Sequence, residues 1–377
     1  MNELKSLAIY IHVPFCARKC AYCDFASFAG REDAWKQYFD VLGGEMDAWA
    51  DRLRAFEAHS VFFGGGTPSL VPAAYIEDAL AHLRRLLPFA PDCEITLEAN
   101  PGTLTAGKLA AYRRAGVNRL SIGVQSFDAS LLRDLGRIHT PEQAADAVRM
   151  AAEAGFENLS IDLMYALPGQ SMAQWSDTLA RAVSLPVKHI SAYSLIVEPG
   201  TEMERRVAAG EAHIPDDDLV NEMQRLAVQR LAEYGLARYE ISNFARPGFE
   251  SRHNLTYWQD GDYLGLGSAA HSLVENERFS NPPELARYLA GERMCDRKAR
   301  SLRDHREEVL MLSTRTLRGL DLARWRAEFG EDFEETHARQ LCKLENYGLI
   351  ELEGGFLRLT PVGLELQDSV VLELMDD

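Results

Sequence analysis

Two rhythms of apolar residues alternate through the first half of the chain. Short apolar runs of strand length predict six strands: LAIYIHV (7–13), HSVFF (59–63), EITLEA (94–99), NRLSIGV (118–124), ENLSIDLMY (157–165) and KHISAYSLIV (188–197). Between them apolar residues recur every three or four positions, as Trp35, Phe39, Leu42, Met46, Trp49 and Leu53 do. That spacing predicts helices over 33–56, 72–87 with Pro72 near the first turn, 104–115 closed by Gly116, helical material up to Gly155, and 172–184. Strands joined by crossover helices run parallel. Such a sheet is doubly wound or a barrel. Polar residues with chemical potential fall at successive strand ends, which favours an α/β barrel, and six units predict a partial (β/α)6 barrel of the TIM-like kind.

The rhythm changes near residue 200. Residues 201–234 read as helical with an acidic interruption at 216–218, and 239–272 are rich in aromatics, Gly and Asn. The tail NYGLIELEGGFLRLTPVGLELQDSVV reads as helix end, strand, Gly-Gly hairpin turn, strand and helix, an order similar to a winged helix. The expected division is a partial barrel over 1–235, an aromatic and Gly-rich extension over 236–300, and a small C-terminal α+β domain over 301–377. A formal net charge of -17 argues against a nucleic-acid partner, so the last unit reads as a packing or lid domain. The N-terminal stretch has no secretory pattern and no window holds 18 uninterrupted apolar residues, so a cytoplasmic location is expected. Six cysteines are too few for a disulfide scaffold, which fits a reducing compartment.

Three of those cysteines stand together in YIHVPFCARKCAYCDF. Cys16, Cys20 and Cys23 are spaced C-x3-C-x2-C. A zinc site usually adds a second distant pair, but Cys93, Cys295 and Cys342 are single and scattered. Buried neutral thiols would not explain three in one Pro-flanked loop. A [4Fe-4S] cluster has four corners, so three thiolates leave one iron open. FFGGGTPS follows the second strand; alone it is a tight turn. Glu98, Gln125 and Arg137 follow strands, and Asp162 lies inside one, where an unpaired charge is costly. Each belongs to a different strand–helix unit, so all would converge on one barrel mouth.

The cysteine spacing at the end of the first strand resembles the signature of radical S-adenosylmethionine (SAM) proteins. The resemblance implies that the open iron is chelated by the amino and carboxylate groups of SAM. It also implies that the glycine triplet lets bare backbone approach the ligand. YIHxPFCxxxCxYCDF, GGGTPS, LEANP, GVQSF and IDLxYxLPGQ together resemble the oxygen-independent coproporphyrinogen III oxidase-like group. Carried over from that group, Tyr10, Tyr22, Gly65, Gly66, Thr67, Glu98, Gln125, Arg137 and Asp162 are expected to bind SAM, some of them a second SAM.

That group has two branches. Its oxidases decarboxylate two propionates of coproporphyrinogen III, and its HemW-like members are heme chaperones that deliver heme to acceptor proteins. The oxidases carry one more cysteine, C-x3-C-x2-C-x-C, where this chain has Phe25. They also have an extension before the first strand. HNLTYW, from His253 to Trp258, matches the H-N-x-x-Y-W motif that the resemblance associates with heme. Imidazole suits heme iron, so His253 is the expected contact, with Tyr257 and Trp258 covering the porphyrin. The plainer alternative is an aromatic loop with a solvent-facing histidine. His271 is a second candidate that could equally be structural, and His12 is expected to orient the cysteine loop. A heme chaperone is therefore expected, ahead of an oxygen-independent coproporphyrinogen III dehydrogenase and of a radical SAM enzyme acting on RNA. The resemblance also implies heme-accepting partners, respiratory membrane proteins among them through peripheral contact, and admits a homodimer.

Overall fold

The computed structural model describes residues 4–375. Six strands lie side by side in chain order and parallel: β1 (Lys5–Val13), β2 (Phe56–Gly65), β3 (Phe89–Ala99), β4 (Arg119–Gln125), β5 (Asn158–Tyr165) and β6 (His189–Ser194). Their two faces differ in kind. Leu97, Leu120 and Leu159 stand opposite one another, as do Ile122, Ile161 and Ile190. These apolar rows are buried in one continuous core. The alternate residues form polar rows instead: Glu98, Ser121, Ser160 and His189 in one, Gly123, Asp162 and Ser191 in the next. Successive strand residues point to opposite faces, so the polar rows line the lumen. The fold is a partial barrel with a polar interior.

Helices cover the outer face, and their starts are written in the sequence. Thr140 and Ser171 each close a capping box with a glutamine three residues on. Gly116 ends the helix Ala106–Ala115 in a left-handed conformation, φ +98°. The helical material expected between the fourth and fifth strands is two helices, Ala129–Asp134 and Pro141–Glu153, because Pro141 is suited to a helix's first turn and Thr140 caps it. The acidic interruption at 216–218 is likewise a helix start, Asp216 capping Asp217–Glu233. Pro72 precedes the first helical residue of Ala73–Leu86.

The sheet continues at both edges. Asn243–Ala245 pairs antiparallel with β6, and Tyr263–Leu266 pairs parallel with β1. The strands His271–Val274, Glu277–Ser280 and Cys295–Ala299 follow beyond Tyr263–Leu266 as antiparallel neighbours, and Ala237–Arg238 pairs with Asn243–Ala245 at the other edge, making twelve strands among the described residues. HNLTYW is not a loop. It lies in the helix Arg252–Trp258, started by the Ser251 hydroxyl, which accepts from the Asn254 N–H. Residues from Val309 onward pack around a separate apolar cluster that includes Trp325, Phe333, Leu341, Leu357 and Val370. Its hairpin turns at Gly354 and Gly355, both at positive φ, as a tight two-residue hairpin requires.

Candidate functional site

The cysteine loop leaves β1 at Val13 and is fixed on three sides. The Phe28 N–H donates to Pro14 O (2.7 Å), the Ala21 N–H to Leu135 O (3.0 Å) and the Met203 N–H to Ala21 O (2.7 Å). Beneath it lies a small apolar cluster of Leu131, Leu135, Met164, Leu167, Leu195 and Met203, against which Ala21 and Tyr22 pack. The glycine turn after β2 is zipped to the same loop: Gly66 N–H donates to Val13 O (2.9 Å) and Thr67 N–H to Phe15 O (2.8 Å). A Cβ on Gly66 would meet backbone atoms of Val13 and Phe15 at 2.8 Å, so no other residue fits there.

Cys16, Cys20 and Cys23 are free, partly buried thiols at the mouth of a cavity of about 470 Å3. Tyr10, Tyr22, Gly65, Gly66, Thr67, Glu98, Gln125, Arg137, Asp162 and His253 line that same cavity. Burial pushes the Cys16 and Cys23 thiols up. The Thr67 hydroxyl donates to Cys16 Sγ (3.6 Å) and the Arg137 guanidinium to Cys20 Sγ (3.5 Å). Among the described residues the three sulfurs form no group lying wholly within 4.8 Å. One tetrahedral ion with metal–sulfur bonds of about 2.3 Å would draw them to about 3.8 Å. The wider spread suits a multi-iron cluster.

Arg137 is the hub of this wall. It donates to Gly123 O (2.6 Å) and to the Asn100 carbonyl oxygen, and the Asn100 amide donates to the Thr67 hydroxyl (2.8 Å). A bonded chain thus runs from the fourth strand to Cys16. Asn100 was not singled out in the sequence, although it sits within LEANP. Gln125 lines the cavity from a strained position, φ +66°, where the β4–β5 register shifts.

Deeper in the lumen the two carboxyls face one another electrostatically. Burial, and then Asp162, pushes Glu98 up to about 8, although the Gly65 N–H favours its charged form. Burial raises Asp162 as well, against its bonds to the Ser121 hydroxyl (3.0 Å) and Ser191. The Glu98 carboxyl is poised to ionise when a cationic group enters beside it. Tyr10 OH donates to His12 Nδ1 (3.0 Å), and the His12 Nε2–H donates to Ala26 O (2.9 Å), tying β1 to the cysteine loop.

Arg119 is the residue the sequence concealed. It reads as an ordinary charge flanking a strand, yet it is 2% exposed and lines the lumen. Its Nε has no partner, and among the described residues it makes no ion pair. The one sequence signal is parity, since residues 119, 121 and 123 share the inward face.

His253 departs from the plainer alternative. The ring is 1% exposed, not solvent-facing. Its Nδ1 bonds the Ser60 hydroxyl (3.0 Å), its Nε2 bonds Tyr257 OH (2.8 Å), and it stacks on Phe62 at 4.9 Å. Burial drives its pKa down to about 3, so the ring is neutral. Trp258, expected over a porphyrin, lies outside the cavity lining with the Arg315 guanidinium 4.5 Å above its ring. Neighbouring residues on a helix point about 100° apart, so Tyr257 and Trp258 cannot share one surface.

Comparison with known proteins agrees with this geometry. Residues 10–182 match the Radical SAM superfamily, and residues 301–366 match the HemN C-terminal domain. The heme chaperone HemW of Bacillus subtilis is 34% identical over 96% of this chain and 97% of its own. HemW of Mycobacterium tuberculosis is 38% identical over 97% and 94%, and HemW of Escherichia coli is 42% identical over 73% and 72%. Among solved structures, the coproporphyrinogen III oxidase HemN of Escherichia coli, a radical SAM enzyme, superposes with a TM-score of 0.87 over 98% of this chain and 90% of its own at 24% identity, a likeness of fold. The chain belongs to the HemW family of radical SAM proteins.

Proposed function

We propose that this chain is a heme chaperone, which binds heme and passes it to acceptor proteins while holding a [4Fe-4S] cluster and SAM. The observation that carries the reading is the near full-length likeness to HemW proteins, whose relatives are named as heme chaperones. The dehydrogenase alternative rests on a likeness of fold at 24% identity and is not favoured.

In this reading Cys16, Cys20 and Cys23 hold the cluster. When bound, it would supply single electrons and an open iron position for SAM. The Gly65–Gly66 turn offers bare backbone at the cavity wall, and Thr67 and Arg137 hold two of the cysteine sulfurs through hydrogen bonds. Glu98 releases its proton to solvent and meets a cationic ligand as a carboxylate, with Asp162 beside it. Arg119 supplies the lumen's opposite charge, suited to a carboxylate. Tyr10, Tyr22 and Gln125 complete the SAM-facing wall. The proposed setting is the cytoplasm, and the proposed acceptors include membrane heme proteins met from the membrane surface. No described helix is long and apolar enough to cross a membrane.

The test uses the full chain, reconstituted anaerobically with iron and sulfide. Heme added to it is expected to give a saturable Soret band. Coproporphyrinogen III, offered with SAM and a reductant, is expected to remain unchanged. Steady formation of protoporphyrinogen would overturn the reading in favour of the dehydrogenase.

A further inference from the structure

The site expected for heme iron, His253, has no free nitrogen. Three other imidazoles of the barrel share that state. His12 is engaged by Tyr10 and Ala26, His59 by Ser6 and Thr256, and His189 by Ser160 and Tyr239. Each is a ring whose nitrogens already serve the fold. A metal reaching any of them must first break a buried hydrogen bond, which leaves its former partner unsatisfied.

His271 is different. Its side chain is exposed, and among the described residues its ring nitrogens have no hydrogen-bond partner. It is nevertheless not a stray surface residue. It lines a second cavity, of about 430 Å3, together with Phe25, Tyr257 and Tyr263. That size lies within the range of about 300–1,000 Å3 for small-molecule sites. The ring is mounted on a rigid element. His271 begins a strand paired with Ser280, and its carbonyl lies so close to Gly265 that a Cβ there would strike it. The preceding Ala270 carbonyl accepts from the Asn281 N–H at 2.9 Å.

The cavity adjoins the SAM-facing wall at Tyr10, Gly65 and Glu98, and its outer side suits a flat apolar ligand. Tyr257 and Tyr263 pack edge to face at 4.7 Å, so they present a fixed aromatic corner. Phe25 is 61% exposed at the rim, where its ring is free to lie over a ligand in the cavity. A porphyrin offers apolar faces and one metal position, the pair of features that this corner and an unengaged imidazole recognise.

We propose that heme is held in this side cavity, with its iron on His271 and its face against Phe25, and that His253 is a structural support of the wall through Tyr257. The inference rests on the heme-chaperone reading. It also gives the cysteine loop a direct part in heme handling, because Phe25 follows Cys23 by two residues and lines both cavities. Loading of the cysteine loop would therefore set the position of the ring that covers heme.

The test is a heme titration of the full chain, read by absorption and by electron paramagnetic resonance of the ferric form. His271→Ala is expected to bind at least about tenfold more weakly, as loss of metal ligation entails, and to lose the imidazole-ligated signature. Free imidazole added to that variant is expected to restore the signature, which loss of folding would not allow. Phe25→Ala is expected to weaken binding about two- to tenfold, the usual worth of an aromatic contact. His253→Ala is expected to keep the imidazole signature. The inference is overturned if His271→Ala retains wild-type affinity and spectrum, or if His253→Ala alone abolishes the signature; either result leaves the chaperone reading standing. Failure of the wild-type chain to take up heme would overturn both.

Discussion

The barrel lumen and the C-terminal unit treat polar groups in opposite ways. Around Trp325 the C-terminal unit is a cluster of packed rings, in which the indole N–H itself has no hydrogen-bond partner. Phe329 and Phe333 pack edge-on to the indole at 4.4 and 5.0 Å, and charges such as Lys343 and Glu373 pair at the surface. In the lumen, Arg119 and His253 are withdrawn from water, and burial raises the Glu98 and Asp162 carboxyls above their ordinary range. Burying such groups costs stability unless each is paired. The C-terminal unit spends its residues on packing, while the barrel keeps ionisable groups in its interior, Arg119 among them with no partner at its Nε. That contrast locates the ligand sites independently of any motif, because stability alone would not retain such groups.

The contrast breaks most sharply at the cysteines. Cys20→Ala is expected to lose nearly all cluster iron after anaerobic reconstitution, measured by iron and sulfide analysis, while the thermal unfolding of the apo-protein changes little. Trp325→Ala should do the reverse. Truncating this buried indole is expected to cost about 3–5 kcal/mol in denaturant unfolding of the C-terminal unit, with cluster loading retained. If either variant shows both defects equally, the two regions are not separable in the way described.

A smaller effect sharpens the comparison through pH. Glu98 sits near 8 in the folded chain against an ordinary value of 4.5. Between those values the folded chain binds more protons than the unfolded chain, so stability falls as pH rises from about 4.5 to 8. His12 and His253 act in the opposite direction, in a window that overlaps that of Glu98 between about 4.5 and 6.5. Burial holds them at about 4 and 3 against 6.5, so their contribution is complete above 6.5 and is lost as pH falls toward 4. Glu98→Gln is therefore expected to flatten the alkaline decline and leave the acid limb in place, as read from urea midpoints across pH. An unchanged alkaline slope would mean that Glu98 is already ionised in the ligand-free protein.

Much of the barrel was legible in the sequence, because a parallel strand buried on one face carries a run of apolar residues and a closing turn. The residues that line the cavity were legible for a related reason. Strand ends in a barrel converge, so motifs far apart in sequence, GGGTPS and GVQSF among them, meet at one mouth. Arg119 escaped notice because a charge at the start of a strand looks solvated until the inward parity of its neighbours is known. The burial of His253 was illegible for a comparable reason. HNLTYW has no periodicity over so short a span, and its burial comes from Ser60 and Phe62, nearly two hundred residues earlier in the chain. The helix breaks at Thr140 and Asp216 were visible as caps, but the apolar spacing around them masked the interruption.

The central claim is that this chain hands heme on rather than converting a porphyrin. The direct measurement is stopped-flow transfer of heme from the loaded, cluster-reconstituted chain to the apo form of a membrane heme protein in detergent, followed in the Soret region at rising acceptor concentration. A transfer rate that climbs with acceptor concentration is the predicted result, since it requires a complex between donor and acceptor. A rate that stays constant, set only by heme leaving the chain, would contradict the account.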